Sequence, residues 1–361
     1  MRARTTLLSA AVILFILSSS ANAYREVIDL GTLGGDISYA YSVNDNGKIV
    51  GSAKNSSGKW RACLFDPTGA GANIDLGTLG GNKSWAHAIN NSGLIVGYAA
   101  SSTSDERACL FDPTGDGANI DLGSFGDNFS EALFVNDNGQ IVGSADGRAC
   151  LFDPTGGWAN IDLGILDGIF SRPYSINNNG QIVGLADNSS GNYRACLFDP
   201  TGGGANTDLG TLGGNWSEAY SINDTGHIVG EAFNGSHIPR ACLFDPTGGG
   251  ANIDLGTLGG SYSGARFINN NGQVVGWADN SNNSARACLF GTTGQIDNID
   301  LNTLINPSLG WTLTEARCIN NSGWIIGYGT HNGQGRAFLL TPEPATILLL
   351  SLGIAMLRRK K

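Results

Sequence analysis

The side chains best suited to chemistry in this chain flank a hydroxyl residue that recurs in seven segments, as serine in six and as threonine in the last. Just before that serine, or before Thr314 in the last segment, come Ile37, Lys83, Phe129, Phe170, Trp216, Tyr262 and Leu313. Just after it come Tyr39, Trp85, Glu131, Arg172, Glu218, Gly264 and Glu315. Sugar rings suit such a mixture, because their C–H faces pack on aromatic rings while their hydroxyls bond to polar groups.

The candidate ligand-binding residues are Phe129, Phe170, Trp216, Tyr262, Tyr39 and Trp85. The alternative interpretation is that these aromatic side chains only pack between loops. Substitution of Trp216 and Tyr262 by alanine distinguishes the two, since only a binding role makes affinity depend on them.

Three glutamates of the second set, Glu131, Glu218 and Glu315, raise the question of an enzyme. Glycoside hydrolysis needs two carboxyl groups about 5 to 9.5 Å apart. These glutamates are two repeats apart from one another, which argues against a short separation. The sequence has no Ser-His-Asp order, phosphate-binding loop or metal motif. We therefore predict a binding or structural module and no catalytic residue, with a polysaccharide-degrading enzyme as the alternative.

Cysteines and histidines give no sign of a metal site. Six cysteines occupy one repeat position, namely Cys63, Cys109, Cys150, Cys196, Cys242 and Cys288. Equivalent positions on neighbouring units should lie beyond the Cα limit of about 7 Å for a disulfide, so we predict buried thiols. The histidines are scattered and no CxxC occurs. The Asn-Asp-Asn-Gly segments lack the spaced carboxylates of a calcium loop, so no cofactor is predicted and calcium is unsupported.

A nine-residue segment, VNDNGKIVG at residues 43–51, positions these side chains. It occurs seven times, and successive copies are separated by 46, 46, 41, 46, 46 and 51 residues. A fixed period of this size is typical of repeat architectures whose units bury apolar faces against one another.

Each repeat contains four strand signals and no helical periodicity. An Asn-Gly turn joins the first two strands as a hairpin, and Asp-Pro-Thr-Gly ends the third. The chain between 24 and 341 opens with a fourth-type strand and ends with a third-type strand. We predict an all-β, seven-bladed β-propeller of four-stranded blades, closed by pairing of the N-terminal strand with the last blade. An open β-solenoid is the alternative, but it gives no reason for this phase shift.

Recurring Arg and Asp residues on adjacent strands are predicted to pair within each blade and to fix strand register. The arginines are Arg61, Arg107, Arg148, Arg194, Arg240, Arg286 and Arg336. The aspartates are Asp29, Asp75, Asp121, Asp162, Asp208, Asp254 and Asp300.

The two ends of the chain indicate export. Residues 1–23 have basic residues, an apolar run and a small-residue end at Ala21-Asn22-Ala23, the pattern of a secretory signal peptide cleaved after Ala23. Residues 342–361 contain Pro342-Glu343-Pro344, an apolar stretch and four basic residues. Thirteen apolar residues cover about 20 Å as a helix, short of a hydrocarbon core of about 30 Å. A plain C-terminal membrane anchor is the alternative to a sorting tail.

The tail resembles the PEP-CTERM signal of Gram-negative bacteria, which an exosortase-type membrane enzyme recognises. The resemblance implies transient membrane association, processing near Pro342-Glu343-Pro344, and delivery to the cell surface or extracellular matrix, often beside exopolysaccharide.

The repeats resemble the HAF family of extracellular repeats, whose units run from a DLGTLGG-like start through a serine and an IN-x-x-G-x-I-V-G core to a His-Ala-Phe strand. Residues 208–214, Ser217 and residues 222–230 fit this pattern. Six units carry Arg-Ala-Cys instead of His-Ala-Phe. The resemblance implies an extracellular repeat protein and supplies no mechanism.

Charge excludes one class of partner. Between 24 and 341 there are 15 Lys and Arg against 30 Asp and Glu, a net charge of about −15. Binding to nucleic acid or to an anionic membrane surface is disfavoured by that sign. Exopolysaccharide is the leading ligand class, and a purely structural matrix role is the other interpretation.

Overall fold

The computed structural model describes residues 24–342 except 127–128, 158 and 292–297. The predicted signal peptide at 1–23 and the tail from Glu343 onward, Pro344 included, lie outside the described residues, whereas Pro342 ends the last strand. Within the described part, no helix has the length and apolar character needed to cross a bilayer.

The chain forms seven four-stranded antiparallel sheets arranged as blades. A first strand, β1 (Tyr24–Asp29), precedes the first complete blade. Blade 1 contains β2 (Gly34–Val43), β3 (Ile49–Asn55), β4 (Trp60–Phe65) and β5 (Ile74–Asp75). Blade 2 contains β6 (Gly80–Ile89), β7 (Ile95–Ser101), β8 (Glu106–Phe111) and β9 (Ile120–Asp121). Blade 3 contains β10 (Ser130–Val135), β11 (Ile141–Ala145), β12 (Arg148–Phe152) and β13 (Ile161–Asp162).

The remaining blades follow the same order. Blade 4 contains β14 (Ser171–Ile176), β15 (Ile182–Asp187), β16 (Tyr193–Phe198) and β17 (Thr207–Asp208). Blade 5 contains β18 (Gly213–Ile222), β19 (Ile228–Asn234), β20 (Pro239–Phe244) and β21 (Ile253–Asp254). Blade 6 contains β22 (Gly259–Ile268), β23 (Val274–Asn280), β24 (Ala285–Phe290) and β25 (Ile299–Asp300). Two 3-10 helices, Leu301–Leu304 and Pro307–Leu309, precede blade 7, which contains β26 (Trp311–Ile319), β27 (Ile325–His331) and β28 (Gln334–Pro342).

Blade 7 is completed by the N-terminal strand, which confirms the predicted closure. β1 pairs antiparallel with β28, so that Ile28 lies opposite Leu339 and Asp29 opposite Phe338. Leu30 follows, donates its N–H to the Ala337 carbonyl and is 1% exposed. The fold is therefore a closed seven-bladed β-propeller, and the open solenoid is ruled out.

The core lies between blades. In the cluster between the first two blades, Val50 and Ala62 of blade 1 pack against Ala86, Ile95 and Cys109 of blade 2. Along each strand, apolar residues point alternately to one face of the blade and to the other, because successive side chains lie on opposite sides of a sheet. Every blade is thus sandwiched between two neighbours, which is why no blade has a free apolar face.

The cysteines behave as predicted. All seven are buried free thiols, and six of them are 0% exposed at equivalent positions of the interblade clusters. Burial raises the pKa of these thiols, to about 12 for Cys318. Since the thiolate is the reactive form, these side chains act as small hydrophobes.

We expect none of the seven thiols to react with Ellman's reagent in the native protein, and all seven to react in guanidinium chloride. The thiol count before and after denaturation, read at 412 nm, checks this. Rapid native labelling of even one cysteine would contradict the burial described above.

The recurring serine joins neighbouring blades. Ser84 Oγ of blade 2 accepts the Ala62 N–H of blade 1 at 2.9 Å and donates to the Gly77 carbonyl at 2.6 Å. The serine at 38, 130, 171, 217 and 263 accepts the equivalent alanine N–H at five further junctions. The recurring serine therefore bonds one blade to the next. Its hydroxyl pairs backbone groups that would otherwise have no partner between the sheets.

The predicted Arg–Asp pairs form in most blades. Five have N···O distances of 3.0 to 3.4 Å, namely Arg61–Asp75, Arg107–Asp121, Arg148–Asp162, Arg194–Asp208 and Arg240–Asp254. Arg336 lies 3.7 Å from Asp29 and so links the chain ends. In blade 6, Asp300 accepts the Asn302 N–H at the start of a 3-10 helix. The fourth strand that these aspartates end spans two residues in blades 1 to 6, shorter than the sequence pattern suggested.

The Asn-Gly hairpin exists but its turn differs from the primed type. In the first repeat only Gly47 has positive φ, +76°, and the Asn44 carbonyl accepts the Gly47 N–H. A single left-handed glycine at the end of the turn matches the longer hairpin loop that is built on an ordinary turn. Gly51, which closes the nine-residue segment, is required for a different reason. A Cβ at this position would collide with the Tyr39 carbonyl oxygen of the paired strand, close to a shift in strand register.

Candidate functional site

The first strand of each blade is innermost and lines a central channel with two ends. We call the end at which these strands begin, next to the recurring serine, the serine end. We call the other, formed by the turns that follow the inner strands, the asparagine end.

A closed ring of seven buried asparagines forms the asparagine end. In each, Nδ2 donates to the backbone carbonyl of the equivalent asparagine in the next blade at 2.9 to 3.1 Å. The ring consists of Asn44, Asn90, Asn136, Asn177, Asn223, Asn269 and Asn320, all 3 or 4% exposed. A single copy of the segment predicts only a hairpin turn, so the ring is not apparent from the sequence.

The residue after each ring asparagine forms a second closed ring. Its members are Asp45, Asn91, Asp137, Asn178, Asp224, Asn270 and Asn321, and each backbone N–H donates to the next side-chain oxygen at 2.8 to 3.0 Å. Amide and carboxylate alternate, and Asn91 Nδ2 donates to both Asp45 and Asp137. Only between Asn270 and Asn321 do two amides adjoin within this ring.

A cavity of about 120 Å³ lies inside these rings. Phe134 of blade 3 and Phe267 of blade 6 line it, and their ring centroids are 6.3 Å apart although the blades are opposite one another. These two phenylalanines narrow the channel below the asparagine end. No cluster of metal-ligating side chains occurs in the described part of the chain.

At the serine end, Tyr39 and Trp85 belong to a connected group of aromatic side chains that we call the aromatic sector. It consists of Tyr39, Tyr41, Trp60, Trp85, His87, Tyr98 and Tyr328, from blades 1, 2 and 7. Centroid distances run from 4.5 Å for Tyr39–Tyr328 to 6.5 Å for Trp60–Trp85. All seven side chains are partly exposed.

The other candidate aromatics lie apart from this sector. Trp216 packs on Phe233 within blade 5 at 4.9 Å, and Phe170 on Tyr193 within blade 4 at 5.8 Å. Phe129 and Tyr262 are 43% and 45% exposed. Leu313, from the same set of positions, is fully buried in the core and lines no mouth. The structure thus brings together Tyr39 and Trp85 and does not bring the other four candidates to them.

Around the rest of the channel runs an ionic sector, which consists of Glu131, Arg172, Glu218, Glu231, Arg266, Glu315 and Arg317. Arg172 Nη2 lies 2.7 Å from Glu131 Oε1. Arg266 bridges Glu231 at 3.0 Å and Glu315 at 2.6 Å, and Arg317 holds Glu315 at 2.8 Å. The Arg172 side chain is 32% exposed, so the channel is not filled at this level.

Burial and neighbouring charges set the protonation of this sector. Burial raises the pKa of Glu131, Glu218 and Glu231. For Glu315 the same effect is outweighed by Arg317 and Arg266, which lower its pKa. Glu218 accepts a hydrogen bond from the Tyr174 hydroxyl at 3.2 Å. Each of the three glutamates once considered for acid–base work therefore has a structural partner.

His87 is held neutral between the two sectors. Burial first, and then the charges of Arg172 and Arg317, lower its pKa to about 3. It contacts Tyr98 at 5.5 Å and Tyr41 at 5.6 Å between ring centroids.

The sequence pattern pointed to Arg172 but not to Trp60, Tyr98 and Tyr328, nor to Arg266 and Arg317 of the channel wall. Trp60 begins the third strand of its blade, and Tyr98 and Tyr328 face the inner strand from the second. Strand register is the signal that finds Tyr98 and Tyr328, because the second-strand residue opposite the after-serine position is of five different types in the seven copies.

Fold and channel together define a closed seven-bladed β-propeller with an asymmetric, aromatic and ionic channel wall. No family model matches the chain, and none of the curated proteins matches it. Among solved structures it is similar to XC5397, a gluconolactonase from Xanthomonas campestris, at 12% identity and a TM-score of 0.40, over 87% of this chain and 91% of that one. It is also similar to TolB from Acinetobacter baumannii, at 16% and 0.42, over 70% and 64%. A third similarity is to YCF48 bound to a D1 peptide, at 10% and 0.47, over 88% and 96%. These likenesses carry no argument about what this chain does.

Proposed function

We propose that this protein is an exported binding module of the cell surface or extracellular matrix, and that its serine end holds an exopolysaccharide. The observation that carries the proposal is the aromatic sector, in which partly exposed Tyr39, Trp60 and Trp85 adjoin hydrogen-bonding groups in one mouth of the channel. Saccharides are bound by this combination of ring faces and polar groups. The net negative charge of the propeller region makes a neutral polymer, or an anionic one bridged by cations, the suitable partner.

We expect saturable binding of the producing organism's exopolysaccharide, and a loss of affinity of at least about tenfold in the double variant Tyr39→Ala/Trp85→Ala, because truncating two contact aromatics removes the ring faces. Isotherms with and without calcium measure this. Trp324→Ala is the matched control, since Trp324 lies beside Gly47 at the asparagine end.

The outcomes separate three roles. Absence of binding would favour a purely structural matrix protein. Release of new reducing ends from the polymer would favour a degrading enzyme, and equal affinity loss in Trp324→Ala would place binding at the opposite mouth.

The terminal segments support the export part of the proposal. Tyr24, the first residue after the proposed signal peptide, pairs with Pro342, the first residue of the sorting motif. Tyr24 and Pro342 therefore lie side by side in blade 7, each next in sequence to a proposed cleavage point. We expect the intact mass of the exported protein to begin at Tyr24 and to lack the tail after Pro342-Glu343-Pro344. A mass that retains all residues to Lys361 would indicate a plain membrane anchor.

A further inference from the structure

Sevenfold repetition breaks down along the channel wall near the serine end. Structural residues recur in nearly every blade, such as the serines that bond neighbouring blades and the asparagines of the ring. The inward side chains two residues beyond the after-serine position, in contrast, are Tyr41, His87, Leu133, Tyr174, Tyr220, Arg266 and Arg317. If these side chains only filled space, they could repeat from blade to blade as the core residues do. Their differences therefore indicate a surface that fits one asymmetric ligand.

Two side chains of this wall have unused hydrogen-bonding capacity. His87 Nε2 and Arg172 Nε are buried and have no hydrogen-bond partner among the described residues. Buried polar atoms are normally paired, so each of these two atoms can accept a hydrogen-bond partner such as a water or a ligand hydroxyl. His87 contacts Tyr98, which in turn stacks on Trp85 at 4.8 Å. His87 thus belongs to the aromatic sector, and Arg172 lies close enough for its charge to lower the pKa of His87.

Among the described residues, the arginines of the channel wall and the lysines at its rim are ion-paired. Arg172 pairs with Glu131, and Arg266 and Arg317 share Glu231 and Glu315. At the rim, Lys54 pairs with Asp36 and Lys83 with Glu106. His87 carries no charge above about pH 3. A carboxylate ligand would find hydrogen bonds here but no free positive charge to offset its desolvation.

We propose that the aromatic sector, together with His87 and Arg172, binds a single neutral pyranose ring and discriminates against a uronic acid. The C–H face of the sugar stacks on Trp85 and Tyr39, and its hydroxyls take the hydrogen bonds of Arg172 Nε and His87 Nε2 after a rotation of these side chains toward the channel. This inference rests on the proposed function and names the sugar class and the polar partners of the same mouth.

The variants His87→Phe and Arg172→Lys test the polar partners. Phenylalanine keeps the ring contacts with Tyr41 and Tyr98, and lysine keeps the charge beside Glu131. We expect each to weaken binding of the organism's exopolysaccharide about five- to tenfold, the loss of one hydrogen bond. Trp324→Ala, which alters an aromatic side chain beside Gly47 at the asparagine end, should change affinity less than about twofold.

Carboxyl reduction tests the sugar class. Carbodiimide activation and borohydride convert uronic carboxyls of the polymer to primary alcohols, and we expect the reduced polymer to bind as well as the native one. Polygalacturonate should not bind. If carboxyl reduction abolishes binding, or if His87→Phe and Arg172→Lys bind like the wild type, this inference is overturned while the proposed function stands. If the native polymer does not bind at all, the proposed function fails with it.

Discussion

Replacing Asn177 by alanine should lower the free energy of unfolding by about 2 to 4 kcal/mol. Its Nδ2 donates to the Asn223 carbonyl of the next blade at 3.0 Å, and its Oδ1 accepts the N–H groups of Asn179 and Gln181. Its Nδ2 also donates to Gln181 Oε1 at 2.8 Å, so alanine removes four bonds at a site that is 3% exposed. The cost follows because buried partners left unpaired lose about 1 to 3 kcal/mol each, partly recovered by relaxation. Urea unfolding at constant m-value measures the change.

Asn179→Ser is the matched control for this asparagine. Asn179 lies in the same turn, is exposed, and its Nδ2 donates to the Asp224 carbonyl. Serine occupies the equivalent position in blade 2 as Ser92. We expect a change below about 1 kcal/mol. Equal losses in the two variants would show that the turn as a whole, rather than the asparagine ring, carries the stability.

The second large effect concerns closure of the ring. A chain that begins at Gly34 lacks β1 and should lose about 4 kcal/mol or more of stability, or aggregate. It forfeits the ladder with β28 and the buried Leu30 side chain, whose removal from a core costs about 2 to 5 kcal/mol alone. It also exposes β28 as an edge strand that can pair with another chain. Thermal unfolding and light scattering of the chains from Tyr24 and from Gly34 compare the two.

A peptide of residues 24–33 provides the control for this truncation. Added in trans, it should pair with β28 and restore the melting temperature, because strand addition to an exposed edge is a recognised mode of peptide binding. A scrambled peptide of the same composition should not. Full stability of the shortened chain without any peptide would contradict the role given to β1.

Most of the fold could be predicted from the sequence because the same short pattern is written seven times. The out-of-phase strands at the two ends indicated closure, and β1 paired with β28 confirms it. The short fourth strand could not be foreseen, because Asp75 ends it through an Asx-type bond to the Gly77 N–H and an ion pair with Arg61. Such side-chain bonds replace the ladder that the apolar pattern suggested.

The site was harder to predict, since it is assembled between blades. Tyr39 and Trp85 could be predicted because they occupy a variable position next to the recurring serine. Trp60 lies on another strand and contacts them only in the folded propeller. The asparagine ring was missed for a related reason. Each of its bonds joins equivalent asparagines of neighbouring copies, which are 41 to 51 residues apart in six cases and 276 apart where the ring closes, so a single copy shows only a turn.

The second ring at the asparagine end has a consequence of parity. Two residue types can alternate around a closed ring only if the number of positions is even. This ring has seven positions, so two neighbours must be of the same type. The pair that remains is Asn270 and Asn321, two neutral amides, and not two carboxylates. Identical copies of the unit that opens at Val43 would instead set seven aspartates side by side, each repelling its neighbours. The alternation at this one position therefore keeps each carboxylate of the circle between two amides, so that no two carboxylates adjoin.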